Sequence, residues 1–151
     1  MLTVNDKEFL RSAQEDFPVT SRPFAALGRR AGMSEAETLA YFKQLKDRKV
    51  LRYIAAMFDL GSLGIVSTLV AMRVPKGKLD RTVRLINSFP NITHNYLRDG
   101  EYNVWFTLSA SSERKLKAVL AEISRKSRVK DILDLRTERV FKSRAVFELN
   151  I

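Results

Sequence analysis

Asp99-Gly100 stands between two runs of strand-forming residues, Thr93-His94-Asn95-Tyr96-Leu97-Arg98 and Glu101-Tyr102-Asn103-Val104-Trp105-Phe106-Thr107. Such a dipeptide is a strong short-range signal for a β-hairpin, because a tight two-residue turn needs φ > 0 at both central positions. The spacing predicts Arg98 opposite Glu101, Tyr96 opposite Asn103 and His94 opposite Trp105. Side chains alternate along a strand. One face therefore carries His94, Tyr96, Arg98, Glu101, Asn103 and Trp105, and the other Leu97, Tyr102, Val104 and Phe106. The second face suits packing on helices. The first holds the chain's only histidine and only tryptophan, beside a cation and an amide. That set is unusual for a face that meets only water.

The flanking sequence supplies the rest of a fold. Ile65–Val74 is strand-like and ends at Pro75. Leu79, Val83 and Ile86 recur at helical spacing before Phe89-Pro90 closes the segment. After the hairpin, Ser111 or Ser112 can cap a helix with Leu116, Val119, Leu120 and Ile123 in one stripe, and Ile132–Phe141 reads as a last strand. The order βαββαβ is the ferredoxin-like arrangement. Its helices cover one face of the sheet, so the other face is left for a partner or a ligand, and the polar side of the hairpin points there.

Ahead of it, residues 5–15 read as a helix with Phe9, Leu10 and Ala13 inward. Ser21-Arg22-Pro23 starts a second helix that ends near Gly32. Ser34-Glu35-Ala36-Glu37 is a capping box, S-x-x-E, opening a third helix with Leu39, Phe42 and Leu45 inward. Short turns between these make a helix-turn-helix. The strand-like run Val50–Phe58 is expected to complete a winged version of it. The fold class is thus α+β, with a winged helix-turn-helix domain over residues 1–60 and a ferredoxin-like domain over 61–151.

Charge and composition narrow the partners. The chain of 151 residues has a net charge of +10, of which residues 1–60 contribute +2 and residues 61–151 contribute +8. An anionic partner is implied, and the surplus lies in the domain that holds the hairpin. There are no cysteines, which removes disulfides, thiolate metal sites and Cys nucleophiles and fits a cytoplasmic protein. One histidine without cysteine leaves no ligand set for a Cys/His zinc site. No apolar run approaches the ~18 residues of a membrane helix, and the first residues have no signal-peptide pattern, so no membrane association is expected.

A winged helix followed by a βαββαβ domain resembles the Lrp/AsnC family. The hairpin sharpens the likeness. Thr93-His94-Asn95-Tyr96-Leu97-Arg98 with Tyr102-Asn103-Val104-Trp105-Phe106-Thr107 resembles the T-H-N-Y-x-R…Y-N-x-W-F-T signature of siroheme decarboxylases, Lrp-like proteins of the alternative haem pathway with relatives in haem d1 synthesis. Leu51-Arg52-Tyr53-Ile54-Ala55 resembles the family's R-R-[IF]-G-A segment, with Tyr53 where a second Arg is common and Ala55 where Gly is common. The resemblance implies decarboxylation of the C12 and C18 acetates of siroheme to methyls, giving 12,18-didecarboxysiroheme and CO2. It also implies a homologous partner subunit, as a heterodimer or larger assembly, with substrate between the C-terminal domains.

The residues suit that chemistry. Arg98 is the leading anchor for a carboxylate, because a planar guanidinium can bind both oxygens. Arg52 follows, with Tyr53 beside it, while Arg73 and Arg136 are weaker candidates. Tyr96 and Trp105 offer walls for a flat macrocycle, and Asn103 shares their face. Breaking the C–C bond of a pyrrole acetate puts carbanion character into the ring, which then takes a proton. With the macrocycle as electron sink no organic cofactor is needed, and iron enters only as part of the substrate. Histidine is the side chain suited to proton transfer near neutrality. His94 can supply the proton, directly or through Tyr96, or it can serve as an axial ligand to the substrate iron. Two other functions compete. One is a DNA-binding regulator, weakened by the near-neutral N-terminal region, since phosphate neutralisation dominates DNA affinity. DNA is therefore an unlikely partner on this reading. The other is a haem or siroheme sensor without catalysis.

Overall fold

The computed structural model describes residues 4–143 and 146–148, with side chains from Asp6 onward. Two compact units divide it: Met57–Val140 forms one, and the described residues on either side form the other.

In the first unit, α1 (Val4–Glu15), α2 (Pro23–Arg30) and α3 (Glu35–Asp47) pack around Phe9, Leu27 and Phe42. The aromatic rings meet edge to face, with Phe9–Tyr41, Phe9–Phe42 and Phe24–Phe42 centroids 5.2, 5.6 and 5.4 Å apart, a favoured geometry for ring quadrupoles. The capping box opens α3 as expected: the Glu37 amide donates to Ser34 Oγ at 3.2 Å and the Ser34 amide donates to Glu37 Oε2 at 2.7 Å. Bonds from the Ser34 side chain and backbone hold the Glu37 carboxyl below its ordinary range. Leu39, expected inward, is 46% exposed. Thr38 is fully buried instead. Its hydroxyl donates to the Ser34 carbonyl at 2.8 Å. It packs where α2 comes closest, since a methyl added at Gly28 would lie 2.3 Å from Thr38 Oγ1.

The expected wing strand does not form. Among the described residues, 51–58 have no sheet partner, and Tyr53, Met57 and Phe58 are exposed. β-propensity without a neighbouring strand leaves backbone groups unpaired, so the apolar run alone does not make a strand. The C-terminal limit also differs. Described residues from Phe141 onward cluster with the helical unit, where the Gln14 side chain exchanges two hydrogen bonds with the Phe147 backbone at 3.3 and 3.0 Å.

The second unit is a four-stranded antiparallel sheet in the order β2-β3-β1-β4, built from β1 (Val66–Met72), β2 (Ile92–Leu97), β3 (Val104–Ala110) and β4 (Ile132–Leu135). Helices α4 (Leu79–Asn87) and α5 (Glu113–Ser127) join them. This is the expected ferredoxin-like topology. β4 is shorter than expected because its ladder with β1 ends at Leu135 opposite Leu69. Ser112, rather than Ser111, caps α5 by accepting from the Lys115 amide at 3.3 Å. Val70, Met72, Val104, Phe106 and Leu108 meet Ile86, Leu116 and Ile123 in one core on the helix side. Each such burial contributes about 1.5–3 kcal/mol against leaving the side chain exposed. On β3, odd-numbered residues are half-buried and even-numbered ones buried, so Trp105, Thr107 and Ser109 lie on the helix-free face.

Candidate functional site

The hairpin closes two residues later than its sequence suggests. His94 pairs with Thr107, Tyr96 with Trp105 and Leu97 with Val104. The Arg98 amide donates to the Asn103 carbonyl at 2.8 Å. Residues 99–102 form a four-residue loop, in which Gly100 has φ +117° and Asp99 is not in the left-handed region. The cause lies outside the hairpin. Glu101 pairs with Arg73 at 3.0 Å, and the Tyr102 hydroxyl donates to Asp131 at 2.8 Å. Both residues are thereby drawn toward the end of β1 and away from β2. A slip of two preserves the strand's alternation, so the faces survive even though the partners change.

His94, Tyr96, Trp105 and Thr107 consequently share the helix-free face, with Arg98 at its end. The His94 and Tyr96 rings lie nearly parallel, 20° apart in plane with centroids 6.2 Å apart. Thr93 Oγ1 lies 3.0 Å from His94 Nδ1, and among the described residues no hydrogen bond engages Nε2. Arg98 lies 5.4 Å from the Trp105 ring centroid, a cation–π arrangement. The Trp105 indole donates to the Tyr102 carbonyl at 2.6 Å. Beside these groups the same face carries Leu69 and Leu135, both exposed, and Leu133, half-buried. Ala71, opposite Trp105 in the ladder, is fully buried. An apolar floor joined to an aromatic and cationic rim marks a surface that is covered in use.

Arg98 and Glu101, expected to face each other, do not pair. Glu101 goes to Arg73, and no carboxylate pairs with Arg98 among the described residues. Arg73 is further held by Asp131 at 2.9 Å, and Arg136 is held by Glu113 and Asp134 at 2.8 and 2.9 Å. Both weaker anchor candidates are thus engaged in structure. The Asn103 amide is engaged too. Its Nδ2 donates to the Val74 carbonyl and its Oδ1 accepts from the Val74 amide, each at 2.9 Å. Arg52 and Tyr53 are exposed in the first unit.

The charge surplus lies elsewhere than on this face. Residues 76–87 and 113–130, which carry α4 and α5, hold eleven exposed Lys/Arg against three Asp/Glu. The rest of 61–151 holds six of each sign. The excess therefore belongs to α4 and α5 and to the segments that flank them, 76–78 and 128–130, in equal shares. Binding a carboxylate on that face falls to Arg98. Sequence reading missed Thr93 beside His94 and the Tyr102 carbonyl beneath Trp105. The first was readable from adjacency, but the second depends on the loop.

Two family models match the chain: an AsnC-like ligand binding domain over residues 62–142 and a siroheme decarboxylase NirDL-like HTH domain over residues 6–52. The siroheme decarboxylase alpha subunit of Desulfovibrio desulfuricans is 41% identical over 145 residues, covering 96% of this chain and 83% of that protein. The chain belongs to the siroheme decarboxylase family. The alpha subunit of Nitratidesulfovibrio vulgaris is 38% identical across 99% of this chain and 85% of its own length. A crystal structure of the siroheme decarboxylase NirDL in complex with an iron-uroporphyrin III analogue superposes with a TM-score of 0.72 at 31% identity. It covers 95% of this chain, which spans about half (47%) of that longer one. A transcriptional regulator from Neisseria meningitidis, crystallised with L-Met, reaches 0.82 at 18% identity over 99% of this chain and 98% of its own, a likeness of fold alone. Of the hairpin signature read from sequence, His94, Tyr96, Trp105 and Thr107 lie on the face just described, while Asn95 and Phe106 pair on the helix side.

Proposed function

We propose that this chain is a siroheme decarboxylase subunit whose helix-free hairpin face binds the substrate. It converts the C12 and C18 acetates to methyls, giving 12,18-didecarboxysiroheme and two CO2. The observation that carries the reading is the grouping of His94, Tyr96, Trp105 and the carboxylate-free Arg98 on one face of a chain from this family. In each half-reaction the bond between the methylene and carboxylate carbons breaks. The electron pair passes into the macrocycle, CO2 leaves, and one proton goes to the methylene carbon. Arg98 holds a carboxylate of the ring through its guanidinium fork. Tyr96, Trp105 and the leucine floor meet the flat macrocycle. His94 presents Nε2, which either donates the proton, with Tyr96 as relay, or ligates the substrate iron.

Iron belongs to the substrate, and no organic cofactor is part of this proposal. Among the described residues no group of three His, Asp or Glu gathers to hold a metal, and no helix is long and apolar enough to cross a membrane. A homologous subunit covers the apolar part of the face. The setting proposed is the cytoplasm, with no role for DNA. The test is mass analysis of siroheme incubated anaerobically with this chain alone and with its homologous partner. The expected product is two CO2 units lighter. Tight siroheme binding without product, even with the partner, overturns catalysis in favour of sensing.

A further inference from the structure

Asn103 stands in the signature beside Trp105, yet its amide is turned into the fold. The last rung of the β1–β3 ladder places Val104 opposite Met72. Continued in register, the residue opposite Val74 is Tyr102. Tyr102 does not take that place. The Asn103 side chain makes both backbone bonds to Val74, at 2.9 Å each, while the Asn103 amide donates to the Met72 carbonyl at 3.0 Å. A carboxamide presents one donor and one acceptor side by side, as a peptide does. The Tyr102 carbonyl is thereby released from the ladder and accepts the indole N–H of Trp105 at 2.6 Å. The same indole lies under the Arg98 guanidinium.

We infer that Asn103 is a positioning residue for the carboxylate anchor. Its amide replaces the Tyr102 peptide in the ladder, and the freed carbonyl fixes Trp105 and, through that ring, Arg98. The inference rests on the reading of this face as the siroheme site. A guanidinium on a flexible stem binds a carboxylate better when its plane is set beforehand. Other side chains cannot do the same: Asp lacks the donor, Ala lacks both groups, and Gln is one methylene longer. Two other restraints on the loop, Glu101 to Arg73 and the Tyr102 hydroxyl to Asp131, act through side chains and make no bond to the Tyr102 carbonyl.

Because Trp105 is the only tryptophan, its indole N–H gives a single resonance in the isotope-labelled chain without substrate. Slow solvent exchange of that proton is expected in the unmodified protein. Faster exchange and a shifted resonance are expected in Asn103→Asp and Asn103→Ala, and neither change in Glu101→Gln, which loosens the loop without touching the carbonyl. In the assembled decarboxylase, Asn103→Asp should raise KM for siroheme about tenfold with kcat within about twofold. Fast indole exchange in the unmodified protein, or unchanged exchange and KM in folded Asn103→Asp, overturns the inference. If Asn103→Ala does not fold, the unmodified protein and the near-isosteric Asn103→Asp still decide. Absence of turnover in the unmodified assembly would instead count against the siroheme reading, and the indole measurement would still judge Asn103.

Discussion

Replacing Arg98 separates binding from folding unusually well. Its backbone amide, which closes the hairpin on the Asn103 carbonyl at 2.8 Å, survives any substitution except proline. Its guanidinium meets Trp105 and no carboxylate among the described residues. Arg98→Ala therefore removes one exposed cation–π contact, about 0.5–1 kcal/mol, so the melting temperature of a domain this size should fall by only a few degrees. A substrate carboxylate bound by the same fork loses a charge-assisted hydrogen bond, about 1.5–3 kcal/mol, which is roughly a 10- to 150-fold weakening. Arg98→Lys keeps the charge but not the fork and should fall between the two. The assay is anaerobic absorbance titration of siroheme into the assembled protein, with thermal melts alongside. The reasoning fails if Arg98→Ala binds siroheme within about twofold of the unmodified protein, or if it binds poorly only because it has unfolded.

Other expectations follow from neighbouring geometry. His94→Ala should lower kcat by roughly 10²–10⁴-fold if Nε2 delivers the proton, with the spectrum of bound siroheme unchanged. A changed spectrum instead identifies an iron ligand, and unchanged turnover removes His94 from the reaction. Gly28→Ala should destabilise the helical unit by about 1–3 kcal/mol, read by denaturant unfolding, because the added methyl meets Thr38 Oγ1 at 2.3 Å and the Met33 carbonyl at 2.7 Å. Ser34→Ala should cost stability at neutral pH and flatten its dependence on acid. Glu37 is held below its ordinary range by Ser34, so its contribution is present above the unfolded-state pKa and is lost as pH falls through the lower folded one. Melts of both proteins across pH 3 to 7 check the sign.

The parts of this fold that were legible in sequence depend on local chemistry. Ser34 and Glu37 form their capping box because both partners lie within one turn. The polar face of the hairpin was readable because alternation survives a two-residue slip. The turn itself was not, since Asp99-Gly100 is outweighed by Arg73, Asp131 and Val74, partners that lie 28 or 29 positions from Glu101, Tyr102 and Asn103, the residues they hold. Gly28 gave no signal because the group that excludes a methyl there is Thr38 on another helix. The run from Val50 to Phe58 had the composition of a strand but no neighbour to pair with among the described residues. The charge tally located the surplus in the domain that holds the hairpin and assigned it to no face, because residue counts carry no direction until the helices are placed.

Amide hydrogen exchange of the assembled protein with and without siroheme tests most directly whether the helix-free hairpin face is the binding site. It needs no turnover and reports position along the chain. Binding should slow exchange in peptides spanning β2 and the start of β3, residues 92–107, while the basic helical layer of α4 and α5 stays unchanged. Slowed exchange confined to α4 and α5 or to the helical unit, with the hairpin unaffected, would contradict the assignment.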